Sequence, residues 1–172
     1  MDRFQKEDLL EIVTDDAVWF ERLQTEYTTM PSIRLYNDPS YSLQQLYGIE
    51  HMLDAALLKK VYLPSGGYLI IEPTEALTVI DVNSGHNVKK KKQKDYYLAN
   101  NLEAAAEIAR QIRLRNISGI IIVDFINLKD PAQKDQLISY MKSLLITDSV
   151  KANVVDFTRL NLMEITRAKK YA

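Results

Sequence analysis

Three features of the sequence predict an α/β protein built on a mixed sheet with helices packed against it. In the second half of the chain, apolar runs rich in β-branched residues alternate with longer stretches of helical periodicity. Two of those runs carry an aspartate at their carboxyl end, Thr78-Val-Ile-Asp81-Val-Asn83 and Ile120-Ile-Ile-Val123-Asp124, and strand carboxyl ends are where an α/β sheet presents polar groups to solvent. The run preceding the first of them is separated from it only by Glu72-Pro-Thr-Glu75, a spacing that joins two antiparallel strands in a hairpin.

The elements follow in order. Residues 9–13 read as a short apolar strand, and Asp15 and Asp16 as the cap of a helix to about Tyr27, in which Val18, Phe20, Leu23 and Tyr27 recur at roughly helical spacing. Pro31 closes that helix, because proline disfavours α geometry in the residue before it. Residues 33–36 form a second short strand. Ser42 caps a helix in which Leu43, Leu46, Ile49, Leu53, Ala56 and Leu57 repeat at three and four. From Lys59 the composition changes to strand, over 61–63, 68–71 and 76–82. The glycines of Pro64-Ser-Gly-Gly67 supply the open backbone of the first turn between them. Residues 98–114 form a long helix with Leu102, Ala105, Ala109 and Ile112 on one stripe and Arg110 and Arg113 on another. Asn116 and Gly119 end it. A buried strand over 120–124, a helix over 131–145 and a strand over 153–156 complete the chain.

The 172 residues are 47% hydrophobic and 26% charged, an ordinary globular composition. A chain of this length removes about two thirds of its unfolded surface from water and forms one domain or one and a half. No apolar run approaches the ~20 residues needed to span a bilayer, and residues 1–8 lack signal-peptide architecture, so the expected location is cytoplasmic. The absence of cysteine excludes disulfides and thiolate metal sites, and the isolated His51 and His86 do not make an all-protein zinc site. The net charge of −1 conceals an asymmetry. Residues 86–116 hold eight basic side chains (Lys89, Lys90, Lys91, Lys92, Lys94, Arg110, Arg113 and Arg115) against three acids, which makes that segment +5 and the remainder −6. A basic stretch beginning just after Asp81 suits a phosphate-rich partner; the competing reading is a solvated surface.

Asp81 and Asp124, with the amide of Asn83 on the same strand face as Asp81, compose a hard-oxygen site. Such a site suits Mg²⁺, which is held by one or two carboxylates plus waters and substrate phosphate. Each aspartate taken alone also fits a turn former or a helix N-cap. No histidine pair lies nearby to support a ribonuclease route through a 2′-hydroxyl.

Four blocks in order carry a resemblance to a known family. They are Ser65-Gly-Gly67 through Asp81-Val-Asn83-Ser-Gly85; Asn101-Leu-Glu103-Ala-Ala with Ile108-Ala-Arg110-Gln-Ile-Arg113-Leu-Arg115; Gly119-Ile-Ile-Ile-Val-Asp124-Phe-Ile126; and Arg159-Leu-Asn-Leu-Met-Glu164-Ile-Thr166-Arg167. Together they resemble the catalytic core of the ribonuclease E/G family. The resemblance implies that residues 59–172 are a DNase I-like catalytic subdomain and residues 1–58 part of an RNase H-like subdomain. It also implies that Asp81 and Asp124 bind Mg²⁺ as the metal ligands, that Asn83 is an active-site amide, and that a water attacks single-stranded RNA to leave 5′-phosphate and 3′-hydroxyl ends. The family's OB-fold domain, 5′-phosphate sensor, zinc link and dimerisation domain would lie outside this chain. The chain is therefore expected to be an excised catalytic piece of a homo-oligomeric endoribonuclease, binding RNA weakly and cleaving it poorly alone. Three positions depart from the family pattern: Asn127 for a common aspartate, Asn161 for the usual glycine and Asn100 for a common threonine.

Further contacts to the RNA backbone are expected from Lys89, Lys90, Lys91, Arg110, Arg113, Lys151, Arg159 and Arg167, with Glu103, Glu107 and Glu164 as competing salt-bridge partners and solvated surface as the competing reading for Lys151. Thr74 and Glu75 shape the hairpin turn. Tyr96 and Tyr97 either stack on unpaired bases or cap the following helix. Two other readings belong to different classes: a non-catalytic RNA-binding or assembly domain of the same fold, and a Mg²⁺-dependent phosphodiesterase acting on another substrate.

Overall fold

The structure, a computed structural model, describes residues 11–27, 32–85 and 93–169. It divides into two compact units, Met1–Ala55 and Ala56–Ala172.

In the first unit, strand β1 (Ile12–Thr14) pairs in parallel with β2 (Ile33–Leu35), Ile12 opposite Ile33. Helix α1 (Ala17–Glu26) crosses between them. Asp16 is its N-cap, accepting from the Val18 and Trp19 N–H groups, so the aspartate pair is read correctly as a helix start. The proline expected to close this helix, Pro31, lies outside the described residues. The helix expected after Ser42 is two helices, α2 (Leu43–Leu46) and α3 (Ile49–Ala56). Ser42 and Gln45 close a capping box on the first. Gly48, at φ +59°, breaks the run, because a left-handed residue interrupts the helix ladder. Among the described residues of this unit only Leu23 is a buried hydrophobic, while Trp19, Met52 and Leu53 are about half exposed or more.

The second unit is one six-stranded mixed sheet covered on one face by two helices. Its strands are β3 (Lys60–Tyr62), β4 (Tyr68–Pro73), β5 (Leu77–Asn83), β6 (Gly119–Asp124), β7 (Ala152–Phe157) and β8 (Leu162–Arg167), in spatial order β3-β4-β5-β6-β8-β7. Only the β5–β6 pair is parallel; the connection between them is α4 (Gln93–Leu114), since parallel neighbours need a long crossover. Helix α5 (Pro131–Leu145) precedes β7 and starts on an Asp130 N-cap with Pro131 in the first turn.

Alternation along the strands separates the two faces. Leu69, Ile71, Ile80, Val82, Ile121, Val123, Met163 and Ile165 point inward and are fully or almost fully buried. They pack on Ala104, Ala105, Ile108, Ala109 and Ile112 of α4 and on Leu137, Met141 and Leu145 of α5. The outer face carries Ile70, Val79, Asp81, Asn83, Ile122, Asp124, Glu164 and Thr166, none of them buried.

Strand β8 is absent from the sequence expectation. Its period-two pattern is Met163, Ile165 and Arg167 inward against Glu164 and Thr166 outward, and an arginine at an inward position hides the apolar alternation that marks a strand. Arg167, expected among the RNA contacts, is instead buried, and it is tolerated there because each of its three guanidinium nitrogens has a partner. It donates to both Asp148 carboxylate oxygens, at 2.8 and 3.2 Å, to Asn116 Oδ1 at 2.9 Å and to the Ile117 carbonyl at 2.9 Å. One side chain thus ties the α4–β6 turn and the α5–β7 turn to the end of β8.

Candidate active site

β5 and β6 run in parallel register with Asp81 opposite Asp124. Register partners of a parallel pair share a face, and adjacent strands lie ~4.8 Å apart. Both aspartates are exposed on the outer face, whereas Ile80, Val82 and Val123 beside them in sequence are buried. Asn83 lies two residues on, on the same face, and its Nδ2 donates to Asp81 Oδ2 at 2.7 Å. The three residues expected to act together are therefore brought together.

The two strand ends are held by separate devices. On the β5 side, Gly67 and Gly85 lie where the Pro64–Gly67 turn meets the end of the strand. A Cβ on Gly67 would stand 2.7 Å from the Asn83 carbonyl oxygen, and one on Gly85 would stand 2.7 Å from the Gly66 carbonyl oxygen, so no side chain fits at either. The turn itself is pinned to α4: the Ser65 N–H donates to Glu103 Oε1 at 3.0 Å and Ser65 Oγ to Asn100 Oδ1 at 3.1 Å. Glu103 and Asn100 thus support the turn, and among the described residues no arginine pairs with Glu103. On the β6 side, buried Asn101 donates to the Ile126 carbonyl at 2.7 Å and accepts from the Ile126 N–H at 3.0 Å, which fixes the backbone two residues past Asp124. No sequence pattern marks this role of Asn101: a buried amide about two turns into α4, matched to a loop, shows only in three dimensions.

The departure at Asn161 has a local cause: it sits at φ +64° in the β7–β8 turn, a conformation that favours glycine and that asparagine tolerates best among other residues. Its side chain accepts from Lys134 Nζ of α5. Asn116, at φ +50°, ends α4 in the same way, with the Ile117 N–H donating to the Ile112 carbonyl at 3.0 Å.

The expected basic residues divide between the two ends of the sheet. Arg159 is exposed in the β7–β8 turn, beside the start of β8, where Leu162 pairs with Asp124. Arg110, Arg113 and Lys151 lie elsewhere. Helix α4 runs back from the end of β5 to the start of β6, so its last turns stand at the opposite end from Asp124. There Arg110 pairs with Glu107 at 2.7 Å, and Arg113 donates to the Leu144 carbonyl at 3.3 Å. The Lys151 carbonyl accepts from the Ala168 N–H at that same end. Lys89, Lys90 and Lys91 lie outside the described residues. Thr74 shapes the β4–β5 turn as expected, its Oγ1 donating to the Leu77 carbonyl at 2.7 Å.

Electrostatics at the aspartate pair favour a cation. The Asp124 carboxyl lies above the ordinary aspartate value, chiefly because of partial burial and secondly because of the Asp81 charge opposite it. A divalent cation between them would remove the like-charge contact. Two carboxylates and an amide fit a hard ion that keeps most of its waters and takes substrate phosphate as a further ligand. Among the described residues no group of three or more His, Cys, Asp or Glu could hold a metal by itself. The site lies on an open surface, whereas a hollow of about 750 Å³ lined by Lys59, Ile71, Thr74, Thr78 and Arg115 lies at the opposite end of the sheet. An open face admits a polymer. Among the described residues no helix is long and apolar enough to cross a membrane.

Comparison with known proteins finds relatives of the chain. The sequence profile of the Ribonuclease E/G family matches residues 1–170. The chain is 44% identical over 131 residues to "Ribonuclease E" of Synechocystis sp., covering 76% of this chain and 19% of that protein. It is 41% identical over 133 residues to "Ribonuclease G" of Haemophilus influenzae, covering 77% of this chain and 26% of that protein. With "Ribonuclease G" of Escherichia coli (strain K12) the identity is 42% over 124 residues, 72% of this chain and 25% of that protein. The chain spans about a fifth to a quarter of the length of the curated relatives it matches.

Proposed function

The chain belongs to the ribonuclease E/G family, and on that premise we propose that it carries the catalytic face of a magnesium-dependent hydrolytic endoribonuclease acting on single-stranded RNA. The observation that carries this reading is the register of Asp81 opposite Asp124 with Asn83 bonded to Asp81. The two carboxylates would hold the ion. When bound, magnesium supplies a Lewis acid for a phosphate oxygen and lowers the pKa of a coordinated water.

The chain's own residues do the rest. Asn83 uses one amide hydrogen on Asp81 and has a second to direct at the scissile phosphate. The glycine turn and Asn101 hold the two strand ends against rotation, so the carboxylates meet the substrate already placed. Arg159, at the same end of the sheet, offers positive charge to the RNA backbone. Attack by water on phosphorus, with the bond to the 3′-oxygen breaking and that oxygen taking up a proton, would leave a 5′-phosphate and a 3′-hydroxyl. Among the described residues of the first unit Leu23 is the buried hydrophobic, which supports reading these residues as part of a larger subdomain rather than as a core of their own.

The test is a chimera: a family ribonuclease whose matching segment is replaced by these 172 residues, given a 5′-phosphorylated single-stranded RNA. Mg²⁺-dependent cleavage with 5′-phosphate and 3′-hydroxyl ends is expected, and the 172-residue chain alone is expected to cleave far more slowly at equal Mg²⁺. Ends bearing a 2′,3′-cyclic phosphate, or cleavage that persists with Mg²⁺ chelated, would contradict the proposal.

A further inference from the structure

Beside the aspartates, the outer face carries an aromatic cluster for which the nuclease reading has no use so far. Tyr62 of β3 pairs with Tyr68 of β4, which pairs with Asn83 of β5; one row along, Lys60 pairs with Ile70, Ile70 with Asp81, and Asp81 with Asp124. The tyrosine rings are 6.3 Å apart, centroid to centroid, and inclined by 59°. The Lys60 ammonium lies 3.8 Å from the Tyr68 ring centre and 4.8 Å from that of Tyr62. Tyr62 is 71% exposed.

We propose that Tyr62 and Tyr68, with Lys60, form a base-stacking subsite that holds an unpaired nucleotide flanking the linkage to be cut. The proposal rests on the nuclease reading of Asp81 and Asp124 and adds to it a place for the substrate's bases. A tyrosine left this open on an edge strand gains little from core packing, whereas a flat π-face beside a cation is what single-stranded nucleic acid uses. Tyr68 is half-buried and stands beside the exposed ring at a tilted angle of 59°. The ammonium over the rings supplies the charge that a phosphate next to a stacked base requires. Position fits as well: Tyr62 is two strand spacings, ~10 Å, from the row of Asn83, within reach of a nucleotide adjoining the reactive phosphate. Stacking tolerates any base, so the subsite would add affinity for unpaired RNA with little sequence preference.

The experiment titrates the 172-residue chain, without Mg²⁺, into a single-stranded RNA carrying one 2-aminopurine, whose fluorescence is quenched by stacking. Tyr62→Ala is expected to weaken binding about tenfold and to abolish most of the quenching, with the melting temperature unchanged because the side chain is exposed. Tyr62→Trp is expected to keep both, and Lys60→Ala to lower the salt dependence of binding by about one unit of slope. If wild type and Tyr62→Ala bind and quench alike, the subsite is refuted while the nuclease reading stands. If the wild-type chain does not bind RNA at all, both fail, and the tyrosines belong to a protein contact instead.

Discussion

Replacing Asp81 or Asp124 by asparagine is expected to lower cleavage of single-stranded RNA by a factor of about 10³ or more in any protein that contains this segment. On the proposed function each carboxylate would supply half of a shared cation site, and the stabilisation of developing charge by such an ion is worth several kcal/mol of barrier. RNA binding should survive, because neither substitution removes a positive charge. A second signature separates loss of chemistry from loss of fold. Asp124 faces the Asp81 charge and lies above its ordinary value, so either substitution removes a repulsion, and in magnesium-free buffer both variants should melt at or above the wild-type temperature. Near wild-type turnover by either variant would refute the assignment.

Arg167→Ala is expected to cost about 3–5 kcal/mol of stability, because it leaves the Asp148 carboxylate buried without its counter-ion. Both side chains are at most 1% exposed, and the same guanidinium also holds Asn116 and Ile117. The pair should also shape the acid limit. Burial alone would push Asp148 up, but the hydrogen bonds from Arg167 and the Val150 N–H, together with the charges of Arg167 and Arg113, hold it below its ordinary value of 3.8. A carboxyl depressed in the folded state adds stability that is fully present above its unfolded value and is lost as pH falls through the folded one. Wild-type stability should therefore decline below about pH 4, with a shallower decline in Arg167→Ala. Urea denaturation between pH 2 and 7 checks both statements. A loss under 1 kcal/mol at pH 7 would mean that the pair is not what closes this end of the sheet.

What could be read from the sequence was what a single element carries. β5 and β6 announce themselves through β-branched runs, α5 through Asp130 and Pro131, and α1 through Asp16. What could not be read depends on partners distant in the chain. Strand β8 was hidden because Arg167 occupies a core position that only Asp148, Asn116 and Ile117 make tolerable. The basic stretch after Asp81 suggested that Arg110 and Arg113 flank the site, but α4 carries them back along the sheet to the start of β6. Asp81 and Asp124 were nominated as a pair by type and strand position, yet their opposition is a matter of register across the β5–α4–β6 crossover. Tyr62, Tyr68 and Lys60 carry no signal in the sequence, since strands β3 and β4 align them only after the Pro64–Gly67 turn closes.

Asp81 and Asp124 are proposed to bind one divalent cation together. The most direct test is the melting temperature of the 172-residue chain across a millimolar Mg²⁺ titration, run in parallel on Asp81→Asn and Asp124→Asn. Binding to the folded state alone adds about 2.7 kcal/mol at a hundredfold excess over the dissociation constant, which for a chain of this size amounts to a rise of several degrees, at about 2–4 °C per kcal/mol. The expected result is such a rise in the wild type and none in either variant. A wild-type curve that does not move, or variants that rise with it, would contradict the account.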